Sequence, residues 1–447
     1  MAQRHDQEDP PVALTPVRPG PTAAEDRWIA AVRSVHGELA RRTGITVSVR
    51  LWNGTELGDP AAPYRLVLKY PWSLRLLLRP PFDLWAGEAY IHGAIDLEGD
   101  PFEVMALGAR LGEAALRGRD LVRLLRGVRR LPRPPRQPGT RRAALRGRMH
   151  SKTRDQLAIS FHYDLPHAFF ETFLDRSLVY SCAYFQDPAE PLEAAQERKL
   201  DLICRKLRLE PEMRMLDIGC GWGSLLLHAA RKYGVRGVGV TLSRTQADAG
   251  RKRVVEAGLA DRIDIRLQDY RDLETGGDAR FDAIASIAMA EAVGPDQLPA
   301  YARTVNRLLA DGGLFLNHCM VMGDPDLVRT GKERTFANAY VFPDGGLVPA
   351  WRMVRDIERA GFEVLDVEQL RPHYALTLRE WVQRLEANHD RAVAAASELD
   401  YRIWRAFMSG SAVGFESRSM GVIHVLGHKP GPPGTDPPLG REWMRVV

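Results

Sequence analysis

The stretch Met215-Leu216-Asp217-Ile218-Gly219-Cys220-Gly221-Trp222-Gly223 runs from an apolar strand into three alternate glycines. Glycine has no Cβ, so backbone can turn sharply there and approach a ligand closely. The helix that follows aims unpaired N–H groups at the same spot. Such a corner suits a polar, nucleotide-sized ligand. A dinucleotide fingerprint would need G-x-G-x-x-G and an acidic residue about 20 positions on. Here the glycines are closer together, and the next strand, Gly237-Val238-Gly239-Val240-Thr241-Leu242-Ser243, ends in hydroxyls where that acid would stand. NAD and FAD fit this pattern poorly; S-adenosylmethionine fits it better.

Around the corner, strands and helices alternate. A helix near 193–209 precedes it, a helix through His228 follows, and a third helix follows Gln246. Further strands are expected over Ile263–Leu267, Phe281–Ile287 and Gly313–His318. This alternation implies an α/β fold, a doubly wound parallel sheet of the Rossmann-like kind that holds its ligand beyond the carboxyl ends of the strands. Gln268-Asp269-Tyr270 would close the third strand-to-helix corner, where an amide and a carboxylate can hydrogen-bond an adenine amino group while the aromatic packs on the ring. Asp269 could instead serve as a helix N-cap. Glu291, just past the fourth strand in apolar company, is costly to bury unless it has a chemical role.

A chain of 447 residues is long for one core, and 45% apolar with 27% charged residues is ordinary for folded soluble protein. Residues 1–22 read as a disordered, proline-rich tail, 23–115 as a small α+β domain, 116–150 as a linker, 151–430 as the main α/β domain and 431–447 as a C-terminal tail. No apolar run reaches the roughly 18 residues needed to cross a bilayer, and the N-terminus lacks a secretory pattern, so a cytoplasmic location is expected. Four cysteines, Cys182, Cys204, Cys220 and Cys319, have no C-x-x-C spacing, which argues against a zinc cage or a disulfide framework. The net charge is +5, yet twelve arginines and a single acid, Asp120, fall between Arg117 and Arg148. The apolar and basic alternation of 121–131 suggests a basic amphipathic helix. It is either a solvated connector or a surface for anionic lipid headgroups. Nucleic acid is disfavoured, because the arginines come without interleaved aromatics or a recognition module.

The segments His162-Tyr163-Asp164, Tyr180-Ser181-Cys182-Ala183-Tyr184-Phe185, the glycine corner and Thr241-Leu242-Ser243 occur in one order that resembles the cyclopropane fatty acid synthase family. Upstream, Gly87-Glu88-Ala89-Tyr90-Ile91-His92-Gly93 and Leu97-Glu98-Gly99-Asp100 resemble its smaller N-terminal domain. The resemblance implies an S-adenosylmethionine-dependent methyltransferase acting on unsaturated acyl chains of membrane phospholipids, resting on the inner face of the cell membrane, with a homodimer as one assembly open to it. It also implies a bicarbonate ion held by Cys182, Glu291, His318, Tyr374 and the backbone N–H of Met320. Tyr180, Ser181, Gly219, Gly221, Thr241, Gln246 and Gln268 would line the cofactor pocket with Trp222 packed nearby, and the motifs add Asp217, Cys220, Gly223, Leu242, Ser243, Asp269 and Tyr270.

The chemistry gives these residues work. A cis alkene is a weak nucleophile and a sulfonium methyl a strong electrophile, so attack needs alignment and exclusion of water. The resulting cation must lose a proton from the new methyl to close a ring, and a held bicarbonate can accept it. One departure stands out: the family often has Glu-His-Val-Gly where this chain has Glu291-Ala292-Val293-Gly294. That leaves three readings open: cyclopropane formation, a methylene- or methyl-branched product, or a lipid-binding protein without catalysis. Tyr340, Val341, Phe342, Trp351, Met353, Trp381 and Leu385 are candidates for a lipid tunnel.

Overall fold

The structure, a computed structural model, describes residues 23–113, 126–135, 141–274 and 280–445. The expected N-terminal tail and residues 121–125 of the basic helix lie outside the described residues.

The N-terminal unit opens with the helix Ala23–Thr43 and carries a sheet of β1 (Val49–Arg50), β2 (Glu56–Leu57), β3 (Tyr64–Leu68) and β4 (Ile95–Gly99) in the order β2-β1-β3-β4. β1 is far shorter than the strand-like run 46–52, because Leu51 turns back through a backbone bond with Thr55 around Gly54, at φ +86°. Helices Phe82–Ile91 and Pro101–Glu113 complete the unit.

Glu88 ties this unit to the rest of the chain. It is 1% exposed, and its Oε1 accepts from the Tyr340 hydroxyl at 2.8 Å and from the Arg142 guanidinium. Removing one partner of a buried ionic group leaves the others unpaired. Glu88→Ala is therefore expected to destabilise the protein by about 3 kcal/mol, read as a lower urea midpoint at unchanged m.

The connector is not uniformly free. Val128 and Leu131 are buried, Leu131 O accepts from Arg75, and Arg141 pairs with Asp400. Arg126, Arg129, Arg130, Arg133, Arg146 and Arg148 are exposed.

The larger unit is built on a seven-stranded sheet: β5 (Arg214–Ile218), β6 (Arg236–Thr241), β7 (Ile263–Leu267), β8 (Phe281–Ile287), β9 (Leu309–Met322), β10 (Glu363–Gln369) and β11 (Met420–His428), in the order β10-β11-β9-β8-β5-β6-β7. From β9 to β7 neighbours run parallel, whereas β11 lies antiparallel to both β9 and β10. The sheet is thus mixed, a departure from the all-parallel expectation. β9 also runs through the Asp311-Gly312-Gly313 sequence that reads as a turn. Gly312, at φ +82°, gives its N–H to Lys429 O, and the β8/β9 register shifts there, as at a bulge.

Apolar clusters cover both faces of this sheet. A third joins the N-terminal unit to the helices Arg371–Ala387 and Glu398–Glu416. The order in which strands are added reverses between β5 and β8: β6 and β7 extend one way from β5, β8 and β9 the other. A crevice at such a reversal is where open α/β sheets bind ligands.

Candidate active site

A cavity of about 170 Å³ opens beyond the carboxyl ends of β5 and β8. Its floor is the glycine corner. Gly219, Gly221 and Gly223 have φ of +81°, +54° and +79°, the left-handed region that glycine enters freely. A Cβ at Gly219 would sit 2.9 Å from Met289 Cγ, but one at Gly221 meets nothing nearer than Gln246 Nε2 at 3.9 Å. The corner therefore leaves open space over Gly221. Gly223 does not line the cavity; it is the left-handed N-cap of the helix Ser224–Tyr233.

Tyr180, Ser181, Asp217, Gly219, Cys220, Gly221, Trp222, Thr241, Leu242, Gln246, Gln268 and Tyr270 all reach the cavity wall. Two residues expected there have other duties. Ser243 is fully buried and caps the helix Arg244–Glu256, its Oγ accepting from Gln246 N. Asp269 caps the turn Tyr270–Asp272, and its carboxylate grips the Arg271 guanidinium at 2.5 and 2.9 Å. Short polar side chains at a helix start bond local backbone readily, and neither residue lines the cavity. The arginine held by Asp269, also paired with Asp155 at 2.9 Å, lines the cavity in its place.

On the β8 side, Ala288 has φ +54°, unusual for a residue with a side chain, and the chain then enters the short helix Ala290–Val293 carrying Glu291. Glu291 is 8% exposed. Its Oε1 accepts from Met320 N at 2.6 Å, and its Oε2 is buried without a partner. Burial pushes the carboxyl up to about 7, against the opposing pull of the Met320 N–H. At neutral pH this group can both give and take a proton. Tyr374 also lines the wall, and burial raises its hydroxyl, keeping it a neutral donor. Ala292 faces the cavity where an imidazole was absent from the motif.

The expected bicarbonate ligands are gathered unevenly. Glu291, Met320 and Tyr374 meet at the wall, but the Met320 N–H is already given to Glu291. His318 and Cys182 are not on the wall. His318 is 1% exposed with Nδ1 2.8 Å from His424 Nε2, and burial lowers both imidazoles so that they stay neutral. Cys182 is fully buried, with Sγ 3.2 Å from Ala183 O and its thiol pushed up by burial. Of the tunnel candidates, Phe342 lines the cavity; Trp381 is core and Trp351 is half exposed beneath Arg355.

Sequence reasoning missed several wall residues: Tyr163, Lys199, Arg271 and Met289. Lys199 had a readable signal. It sits in the apolar stripe of the helix Leu192–Lys206, in register with Leu192, Ala195, Gln196 and Ile203, where a charge is out of place.

Residues 150–425 match the family described as mycolic acid cyclopropane synthetase. The chain belongs to that family. A Mycobacterium tuberculosis protein named as a probable fatty acid methyltransferase is 40% identical over 88% of this chain and 93% of its own length. The cyclopropane-fatty-acyl-phospholipid synthase of Escherichia coli is 37% identical over 62% of this chain and 69% of its own. The solved mycolic acid cyclopropane synthase CmaA1, complexed with SAH and CTAB, superimposes with a TM-score of 0.57 at 32% identity, covering 61% of this chain and 98% of that one. This cyclopropane synthetase relative is therefore an S-adenosylmethionine-dependent methyltransferase by family and fold. The cavity suits such a donor: it has a glycine floor with open space over Gly221, polar groups at Thr241, Gln246 and Gln268, and buried unpartnered oxygens on Asp217 and Glu291. Among the described residues no cluster suits a metal ion.

Proposed function

We propose that the protein methylates the cis double bond of an unsaturated phospholipid acyl chain and closes a cyclopropane ring. The observation that carries this reading is Glu291: a carboxyl on the cavity wall, held on one oxygen by Met320, bare on the other, and poised near neutrality. Ring closure needs a proton acceptor beside an apolar wall, because the proton leaves the carbon of the acyl chain's new methyl, and Glu291 stands among Met289, Val293 and Phe342.

When bound, S-adenosylmethionine supplies an electrophilic methyl. The chain's residues do the rest. Ile159, Leu178, Met289, Val293 and Phe342 give the cavity apolar surface for an acyl segment and keep water from the reacting carbon. Tyr374 and Glu291 face the same space, and they are the residues that would hold a bicarbonate ion, which would supply a base. If a hydride first shifted from the methylated carbon to its cationic neighbour, loss of a proton from the new methyl would leave a methylene branch instead of a ring. Ala292 in place of a histidine favours that second reading, since the wall there lacks an imidazole to steer the proton.

The test is transfer of labelled methyl from the donor to vesicles. Label entering oleoyl phospholipid but not its stearoyl counterpart supports the reading; label in both, or in neither, removes it.

How the protein would reach such a chain follows from charge. Among the described residues no helix is long and apolar enough to cross a membrane. Exposed arginines cluster on the connector, from Arg126 to Arg148. Each basic residue near an anionic surface contributes about 1 kcal/mol and is screened within a Debye length. Binding to anionic vesicles is expected to fall steeply between low and physiological salt, as sedimentation would show. Equal binding to neutral vesicles at high salt would contradict it.

A further inference from the structure

Lys199 is a buried charge in the cavity wall that lacks a counter-ion. Its side chain is 1% exposed, and its Nζ donates to Ser181 Oγ at 2.7 Å, a neutral acceptor. Lys206, two turns along the same helix and equally buried, shows what a satisfied lysine looks like here: it pairs with Asp366 at 2.8 Å and Glu368 at 2.6 Å. No carboxylate makes such a pair with Lys199 among the described residues. The two that feel its charge, Asp175 and Asp217, do not neutralise it. Asp175 accepts from the backbone N–H groups of Ser177 and Val179. Asp217 is pushed by burial to about 7, and its Oδ1 has no partner. Burial without an ion pair draws Lys199 down to about 8. An unpaired buried ammonium is a standing cost to the fold, and it suits a site that an anion completes.

We propose that Lys199, together with the Ser181 hydroxyl, receives the carboxylate of the methyl donor's methionine moiety. This rests on the methyltransferase reading above. Lys199, Ser181 and Asp217 share the wall with Gly219 and Gly221, at the polar end of the cavity. The amino-acid end of the donor carries one carboxylate and one ammonium; beside Gly219 the wall offers the unpaired Lys199 ammonium and the unpartnered Asp217 Oδ1. A lipid phosphate would have to reach past the apolar side of the cavity to find Lys199. In a bicarbonate-free buffer the donor is the remaining source of a carboxylate.

Calorimetric titration of the full-length protein in such a buffer tests the proposal with two ligands, SAH and its decarboxylated analogue, which keeps the ammonium. Charge-assisted hydrogen bonds of this kind correspond to roughly 10- to 100-fold in affinity. The wild-type protein is expected to prefer SAH by about that factor. Lys199→Gln, which retains a donor for Ser181 but no charge, is expected to weaken SAH by a similar factor while changing the analogue little. Lys199→Arg keeps the charge and should keep the preference, so it serves if the glutamine variant does not fold. Equal affinity of the wild type for both ligands overturns the proposal, as does equal weakening of both by the variant. Absence of any SAH binding by the wild type would instead count against the methyl-donor reading itself.

Discussion

Glu291→Gln is expected to lower turnover by about 10²- to 10⁴-fold, the range that a positioned acid or base contributes, while SAH affinity stays nearly unchanged. Glutamine preserves the side chain's volume and can still accept the Met320 N–H that Glu291 Oε1 now takes at 2.6 Å. What it removes is a group that titrates inside the cavity. The wild-type carboxyl is protonated below about 7 and ionised above it. If the ionised form works, kcat/KM rises with pH through that value, and the glutamine variant loses this limb. Stability gives an independent check of sign. The folded-state carboxyl holds its proton to a higher pH than the unfolded chain does, so its favourable contribution is complete below the ordinary carboxylate range. It is lost as pH rises to about 7. Glu291→Gln should therefore be more stable than wild type at pH 8 and similar at pH 4.5, measured as Tm. A variant that loses SAH affinity in proportion to turnover would mean that Glu291 belongs to donor binding.

Gly221→Trp is expected to give the opposite pattern: no measurable SAH binding, with the fold retained. A Cβ at Gly221 meets nothing closer than 3.9 Å, so a large side chain there projects into the cavity rather than into packed protein. The cost to stability comes from forcing φ +54° on a residue with a Cβ, about 1–3 kcal/mol. Gly219 is a contrasting control. At φ +81° its Cβ would lie 2.9 Å from Met289 Cγ, so even alanine there should cost more stability than alanine at Gly221. If Gly221→Trp binds SAH as wild type does, the donor does not cross the glycine corner.

Where local pattern decides, the sequence was readable. Ile263–Leu267 and Phe281–Ile287 stand in the structure with the ends expected from their apolar periodicity. The glycine corner could be read because three glycines before a helix start have few uses. β10 and β11 could not. Glu363–Gln369 alternates acids with apolar residues, as an edge strand does, and the place of β11 between β9 and β10 depends on pairing over more than 100 residues. At the site, the same limit appears one side chain at a time. Ser243 and Asp269 sit at helix starts, where a hydroxyl or carboxylate can serve either backbone or ligand, and sequence alone cannot choose. His318 lies on β9, but its partner His424 is opposite it on β11, a neighbour that only the sheet order reveals. Lys199 carried a signal, a charge in an apolar stripe, but its meaning depends on the cavity beside it, which only the fold reveals.

The reaction itself is tested most directly by proton NMR of methyl esters prepared from oleoyl phospholipid after turnover with the purified protein and labelled S-adenosylmethionine. Cyclopropane formation predicts ring-proton signals upfield of ordinary chain methylene, in step with label incorporation. Labelled product with olefinic methylene protons and no upfield signal would contradict ring closure and assign the protein to branched-chain synthesis; an unmodified lipid would contradict acyl-chain methylation altogether.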